Sequence, residues 1–361
     1  MSITFFKRNK GLLSYSLFDF ANSSYTLIIH AYLFPLFVKN VLFHGQPTGD
    51  FAWGAMFGSS VLLAAMVAPF LGRFADGAGS WSVFAWISGA SFLTTALLAA
   101  AVGLSLPVVV VAFVVSNCCF YLASNLYDSL LSRVAPADRR ISYSGFAWGF
   151  GYLGGIACFG GVYAIQTATG IASRWPYLFL ALFYTVFGVL AVHGLKTHIV
   201  GAVWSLRLGM SDMLALLDRP RRTLLFGYWL ITECVNTIIV FTAIIGATVY
   251  GLSAETIGAY LLLVQLLAFP ATYFVSTLAT RIGIRRTLFA CIGVWLVIIC
   301  LMAARVQGPG FAVLACLTSL VIGSTQALMR AQYANFLSVE RASEGFGWYA
   351  ISTVSVRGTP P

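Results

Sequence analysis

Apolar positions along this chain come in long unbroken runs, not in the alternating or three-and-four spacing of water-soluble elements. Stretches with few or no charges fall at about 14–37, 51–71, 81–104, 107–127, 141–165, 175–195, 223–248, 256–278, 287–304 and 311–329. Each is long enough for a helical bilayer crossing, which takes about 20 residues. A helix satisfies its own backbone hydrogen bonds in hydrocarbon, so the pattern predicts ten transmembrane helices. An eleventh apolar run begins near Phe346 but soon meets Arg357, Gly358 and two prolines, well short of the about 20 residues a crossing needs. The second half of the chain is therefore expected to be C-terminally incomplete.

The segment at about 196–222 is the longest between spans, and it carries Val203, Leu206, Met210, Met213, Leu214 and Leu217 at helical spacing. It reads as an amphipathic linker lying in the membrane interface. Residues 1–195 then form an N-terminal six-helix half, 196–222 a cytoplasmic linker, and 223–361 a C-terminal half without its last two spans. Transporters built from two repeated halves have this arrangement.

Composition narrows the class further. Of 361 residues 60% are hydrophobic, 15% aromatic and only 9% charged, against about 25% charged in soluble domains. The mean hydropathy is +0.89. A soluble enzyme, a secreted disulfide scaffold and a free nucleic-acid binder are excluded. The formal net charge of +10 has a topological explanation. With the N-terminus cytoplasmic, the inner segments collect nearly all the basic residues, while the outer loops keep only Lys39, Arg174 and Arg305. All seven cysteines fall inside spans, as packing residues do. The first span has no small-residue cleavage site behind it, so it is not a signal peptide.

Polar residues inside the spans form stripes. In the fourth span Asn117, Tyr121, Ser124 and Asp128 share one helical face. In the tenth, Ser319, Gly323, Gln326 and Arg330 repeat that spacing 202 residues later, and the match continues from Pro136-Ala-Asp138-Arg139 to Ser338-Val-Glu340-Arg341. The first span carries Asp19, Asn22, Ser23, Thr26 and His30 on one face; the seventh carries Glu233, Asn236 and Thr237. Such stripes must face protein or a wet cavity. The loop after the second span reads Gly72-Arg73-Phe-Ala-Asp76-Gly77-Ala-Gly79.

That loop resembles the short Gly/Asp/Arg loop of the major facilitator superfamily. Ser14-Tyr-Ser-Leu-Phe-Asp19-Phe-Ala-Asn22-Ser-Ser-Tyr25, Tyr228-Trp-Leu-Ile-Thr-Glu233-Cys-Val-Asn-Thr237, and Gln326-Ala-Leu-Met-Arg330 followed by Glu344-Gly-Phe-Gly-Trp-Tyr349 are similar to its vacuole-effluxer-like branch. Fungal members of that branch are linked to amino-acid efflux during autophagy. The resemblance covers residues 14 to about 350 and implies an all-α major facilitator fold. Two departures stand out: Glu233 where the family usually has aspartate, and Ser338 where it has proline.

The expected function is secondary active transport of a small polar solute, amino acids among the candidates, coupled to protons and working by alternating access. Glu233, near mid-membrane where a charged carboxylate is costly, is the first candidate for proton exchange, and Asp19 the second. Asp19 could instead be a carboxylate favoured by a helix N-terminus. Asn22, Ser23, Thr26, Asn117, Tyr121, Asn236, Thr237, Gln326 and Arg330 are candidates for solute binding. Gly72, Arg73, Asp76, Gly79, Asp128 and Arg133 are candidates for gating. His30 and His193 read as packing residues. Gly149-Phe-Gly151-Tyr-Leu-Gly154 matches a dinucleotide fingerprint, but no strand precedes it and no acidic residue follows at the right distance. These glycines, with Gly145 and Gly155, read as helix-contact positions. No metal spacing occurs, so no cofactor is expected. The partners expected are the solute, protons and the bilayer, without nucleic acid. The protein is expected to be a monomer in the bacterial inner membrane. The alternatives are a non-transporting, degenerate truncated paralogue and an intramembrane enzyme, the latter lacking a paired nucleophile and base.

Overall fold

The computed structural model describes residues 10–199, 216–248, 250–252, 254–305 and 310–352, which contain helices and short connections but no strand. The helices are α1 (Lys10–Tyr25), α2 (Leu33–Phe37), α3 (Pro47–Ala78), α4 (Ser80–Ala101), α5 (Leu106–Val134), α6 (Arg140–Thr169), α7 (Trp175–Leu195), α8 (Arg219–Thr248), α9 (Ala254–Ile282), α10 (Ile284–Ala303), α11 (Gly310–Phe336) and α12 (Ala342–Ser352). Among the described residues nine helices are long and apolar enough to cross a membrane. The expected seventh span is α8, a 30-residue helix long enough to cross at 1.5 Å per residue. Glu233 and Asn236 interrupt its apolar run. The linker positions 203–214 lie outside the described residues.

The first span differs from the single helix expected over 14–37. It runs from 10 to 42, and α1 passes into a π-helical stretch, Thr26–Tyr32, then α2, then a second π-helical stretch, Val38–Leu42. Pro35 sits in α2, between the two widened turns. A proline cannot donate to the carbonyl one turn earlier, and its ring crowds that carbonyl, so the backbone widens nearby.

Duplication is visible in the backbone. A 3₁₀ turn over Ala137–Arg139 leads into α6, and a second over Val339–Arg341 leads into α12, so the repeat read from the sequence marks matching structural positions. The connections 78–80, 134–140, 282–284 and 336–342, with the described residues 195–199 and 216–219, gather at one end of the bundle, called here the basic end. Gly79 turns the chain between α3 and α4 with φ of 110°, in the region glycine favours.

Aromatic packing fills the first half: Tyr15, Phe18, Tyr25, Phe34, Phe84, Phe113, Tyr127 and Tyr184 are all buried. Large apolar side chains such as Trp86, Phe289, Phe274 and Leu182 are outward and exposed, a surface that only a bilayer would cover. The glycines of α6 serve as expected. A Cβ at Gly149 would crowd Phe269 of α9, and one at Gly154 would strike the Phe20 carbonyl of α1. We predict that Gly154→Val costs about 1–3 kcal/mol through overpacking, seen as a lower thermal aggregation temperature in detergent. An unchanged temperature would contradict this close contact.

Candidate functional site

The polar stripes of α1 and α5 meet as rungs. Near the middle, Ser124 Oγ of α5, with one hydrogen to give, lies 2.8 Å from the Phe120 carbonyl and 3.2 Å from Asn22 Oδ1 of α1. Farther from the basic end, His30 Nε2 lies 2.7 Å from Asn117 Oδ1. The Asn117 amide Nδ2 donates to Ser60 of α3 at 2.7 Å, which leaves Oδ1 as acceptor and assigns Nε2 as the protonated nitrogen of His30. The imidazole stacks on Tyr121 with an interplanar angle of 7° and meets the edges of Phe57 and Phe120. It is a packing residue with its ring nitrogen satisfied, and it ties the π-helical turn of the first span to α5.

Thr26 is exposed on the same span and donates to the Asn22 carbonyl at 3.4 Å. Ser23 turns the other way, with its hydroxyl against Gly151 of α6, so it does not join the α1–α5 rungs. On the second half Gln326 is half-buried one turn from Arg330, and Glu233 and Asn236 are half-buried on α8. The side chain of Thr237 lies outside the described residues.

The lowest rung joins the halves. Arg330 of α11 is 1% exposed. Its Nη1 and Nη2 each lie 3.2 Å from Asp19 Oδ2, and Nη1 lies 2.9 Å from Asp128 Oδ1. Nε donates to the Ser144 hydroxyl at 2.9 Å and Nη2 to the Ser144 carbonyl at 3.0 Å. Tyr127 Oη, with one hydrogen to give, sits 2.9 Å from both Asp19 Oδ2 and the Tyr15 carbonyl. The guanidinium is also 4.9 Å from the Trp148 ring centre, 5.5 Å from Tyr15 and 5.6 Å from Tyr127. Asp19 thus lies beyond the first turns of a helix that begins at Lys10 and pairs with an arginine 311 residues away. The reading of Asp19 as a residue favoured by its helix N-terminus is corrected.

A second cluster closes the same end. Both carboxylate oxygens of Asp76 accept from the start of α12, Oδ1 from the Ser343 N–H at 3.1 Å and Oδ2 from the Glu344 N–H at 2.8 Å. These are donors a helix N-terminus leaves open, and its dipole favours the negative charge. Arg133 adds a 2.8 Å ion pair to Asp76. Arg73 lies 3.6 Å from Glu344. Gly72 has to be glycine here, because a Cβ would strike the Ser343 carbonyl.

Sequence reading singled out Asp19, Asp128, Arg330, Asp76 and Arg133, and the repeat matched Asp128 with Arg330, but it did not bring Asp19 to that pair or Arg133 to Asp76. It marked Ser144 only through the repeat, which aligns Ser144-Gly145 with Phe346-Gly347, and it missed Tyr127, Ser60 and Trp148, which carry no sequence mark.

No family model matches the chain. An uncharacterised MFS-type transporter of Bacillus subtilis, YxiO, is 26% identical over 362 residues, covering 94% of this chain and 83% of its own. The human organic anion transporter MFSD10 superimposes with a TM-score of 0.75 at 15% identity, over 97% of this chain and 91% of its own. The proton:xylose symporter XylE does so at 0.68 and 14%, over 96% and 87%. A bacterial homologue of the iron transporter ferroportin in its outward-facing state gives 0.71 and 15%, over 96% and 89%. The chain has the major facilitator fold. The homologue and the structural neighbours support a place in the major facilitator superfamily. These relatives are transporters rather than enzymes, and they lend nothing to the intramembrane-enzyme alternative. Within the major facilitator fold, the rungs from His30 down to Asp19 run toward the basic end, where both charged clusters join the halves.

The clusters differ in expected weight from surface pairs. Removing Asp76 strands two backbone donors and an arginine, each charged hydrogen bond being worth about 1.5–3 kcal/mol. The Lys39–Asp50 pair, 42% and 45% exposed, should contribute less than about 1 kcal/mol. Asp76→Ala should therefore lower the melting temperature in detergent clearly and Asp50→Ala hardly at all. Equal shifts would contradict the role given to Asp76.

Proposed function

We propose that this protein is a secondary transporter that moves a small polar solute between its two halves by alternating access. The observation that carries the proposal is the Arg330 guanidinium of one half, buried between the Asp19 and Asp128 carboxylates of the other. A packing contact between halves needs no such charges. A contact that must form and break in every cycle gains from groups that hold strongly when dry and are hydrated when apart. The arrangement is then the state closed at the basic end, with the solute path running along the Asn22, Thr26, His30 and Tyr121 face toward the opposite end. Asn117 and Ser60 hold that wall from behind, while Asn236 and Gln326 would face it from the second half.

The finer features are part of the same proposal. The basic end is cytoplasmic, following the basic residues, and the protein is a monomer in the bacterial inner membrane. Amino acids are the first solutes to assay, following the resemblance to the vacuole-effluxer-like branch. Proton exchange falls to Glu233, and Asp19 responds through its pairing with Arg330.

Charge reversal tests the lock. Arg330→Asp and Asp128→Arg should each lower transport in proteoliposomes by about a hundredfold or more, since each leaves buried charges unpaired. The double variant should recover part of it, because the opposite charges again face each other. A double variant as inactive as the singles would contradict the lock and favour direct solute binding by Arg330, where Arg330→Lys would also lose affinity. Proton coupling is tested separately. Glu233→Gln should lose accumulation against a gradient and keep part of its counterflow exchange; unchanged accumulation with unchanged pH dependence would remove Glu233 from that role.

A further inference from the structure

A third arginine joins the halves at the basic end, and neither the motifs nor the charged clusters account for it. Arg140 opens α6 and is 8% exposed. Its Nη1 donates to the Ala334 carbonyl at 3.0 Å and to Asn335 Oδ1 at 3.2 Å. Its Nη2 donates to the Ser132 carbonyl at 3.2 Å. Ser132 is in the last turn of α5 and Ala334 in the last turn of α11. These are carbonyls a helix leaves without an internal partner, at the negative end of each helix dipole. Among the described residues no ion pair to a carboxylate involves Arg140, so two helix C-termini supply its negative partners.

The positions of those carbonyls follow the repeat. Asp128 and Arg330, which pair directly, are 202 residues apart, and so are Ser132 and Ala334. Each carbonyl lies four residues, one helical turn, beyond its charged neighbour. Arg140 therefore spans two repeat-related atoms, one turn toward the basic end from the Arg330 pair, and it also lines a cavity of about 420 Å³ that opens there. Its own repeat counterpart, 202 residues on, is Ala342. One half supplies the fork and both halves receive it.

We infer that Arg140 is a positioning residue of the gate: its fork holds the C-terminal ends of α5 and α11 together and so sets how often the Arg330–Asp128 contact one turn away comes apart. The inference rests on the proposed lock at the basic end. Arginine suits the place because a planar fork can reach two carbonyls at once, whereas a lysine ammonium is a point charge. Losing the fork would leave the lock's own charges intact and shift the balance toward the state open at the basic end.

The test is a thiol reporter at the buried Ala327, 1% exposed, in the full chain with its seven native cysteines replaced by serine. Ala327→Cys is alkylated by a membrane-permeant maleimide in membranes. With Arg140→Ala the rate should rise about tenfold or more, as three charge-assisted hydrogen bonds are lost, and with Arg140→Lys by an intermediate factor. Asp128→Asn, in the same background, tests the lock itself and should also raise the rate. A native rate in a folded Arg140→Ala variant, or in Arg140→Lys if the alanine variant fails to fold, overturns the inference when Asp128→Asn still accelerates labelling. A native rate in Asp128→Asn as well would remove the lock on which the inference rests. A merely structural role for Arg140 would lower the melting temperature of the detergent-solubilised protein without changing the labelling rate in membranes, and that result also overturns it.

Discussion

A guanidinium held at 1% exposure inside an apolar helical bundle is tolerated only if nearly every donor is met and its charge is answered nearby. Arg330 meets that condition by drawing on three helices of the other half: Asp19 from α1, Asp128 from α5 and Ser144 from α6. The remaining polar organisation follows from where those partners must be. Asp19 and Asp128 set the depth at which α1 and α5 come together. Tyr127 then supplies Asp19 with a further donor, and Tyr15, Tyr127 and Trp148 wrap the cation's faces. One and about three turns away from the cluster, the same helix faces carry uncharged groups, Asn22 with Ser124 and His30 with Asn117. Charge is concentrated where the halves touch and absent from the N-terminal half's wall above it.

The contacts around Arg330 respect the internal repeat to a degree that packing alone does not require. Ser144 donates to the Ala327 carbonyl, and its counterpart contact runs from Asn125 to the Phe346 carbonyl; each pair is the other shifted by 202 residues. Ser129 and Ser343 share a further hydrogen bond between the halves at 3.1 Å. A duplicated half that packs against its own copy places equivalent positions on either side of an axis, so the same two positions meet twice, here with side-chain donor and carbonyl acceptor exchanged. The charges depart from that symmetry. Aspartate in one half faces arginine in the other, because two aspartates at equivalent positions would repel.

Much of this was legible in the sequence. Apolar runs gave the spans, the 202-residue offset gave the matched marks on α5 and α11, and the glycines of α6 announced a helix pressed closely on both sides. Those signals are periodic or compositional, and a helix in a bilayer has few other ways to satisfy them. Other features depend on relations between helices that no spacing within one helix encodes. His30 pairs with Asn117 because the π-helical turn before Pro35 re-aims it. Ser23 shares a stripe with Asn22 yet faces α6, since a stripe on a central helix is wide enough to face two neighbours. Arg140 was counted only as one more inner basic residue, because carbonyls at helix ends leave no trace in sequence. The clusters at Asp76 and Arg330 occupy positions that the motifs had marked, but their pairing is a tertiary fact.

The central claim is that the halves must separate at the basic end for a solute to pass, and the Ser129–Ser343 contact allows it to be tested directly. Cysteines at these two positions, in a chain otherwise free of cysteine, should form a disulfide across the halves on mild oxidation in membranes. Solute counterflow in proteoliposomes should stop in the oxidised protein and return on reduction with dithiothreitol. Complete disulfide formation with undiminished counterflow would contradict the account, because transport would then proceed with the basic end held shut.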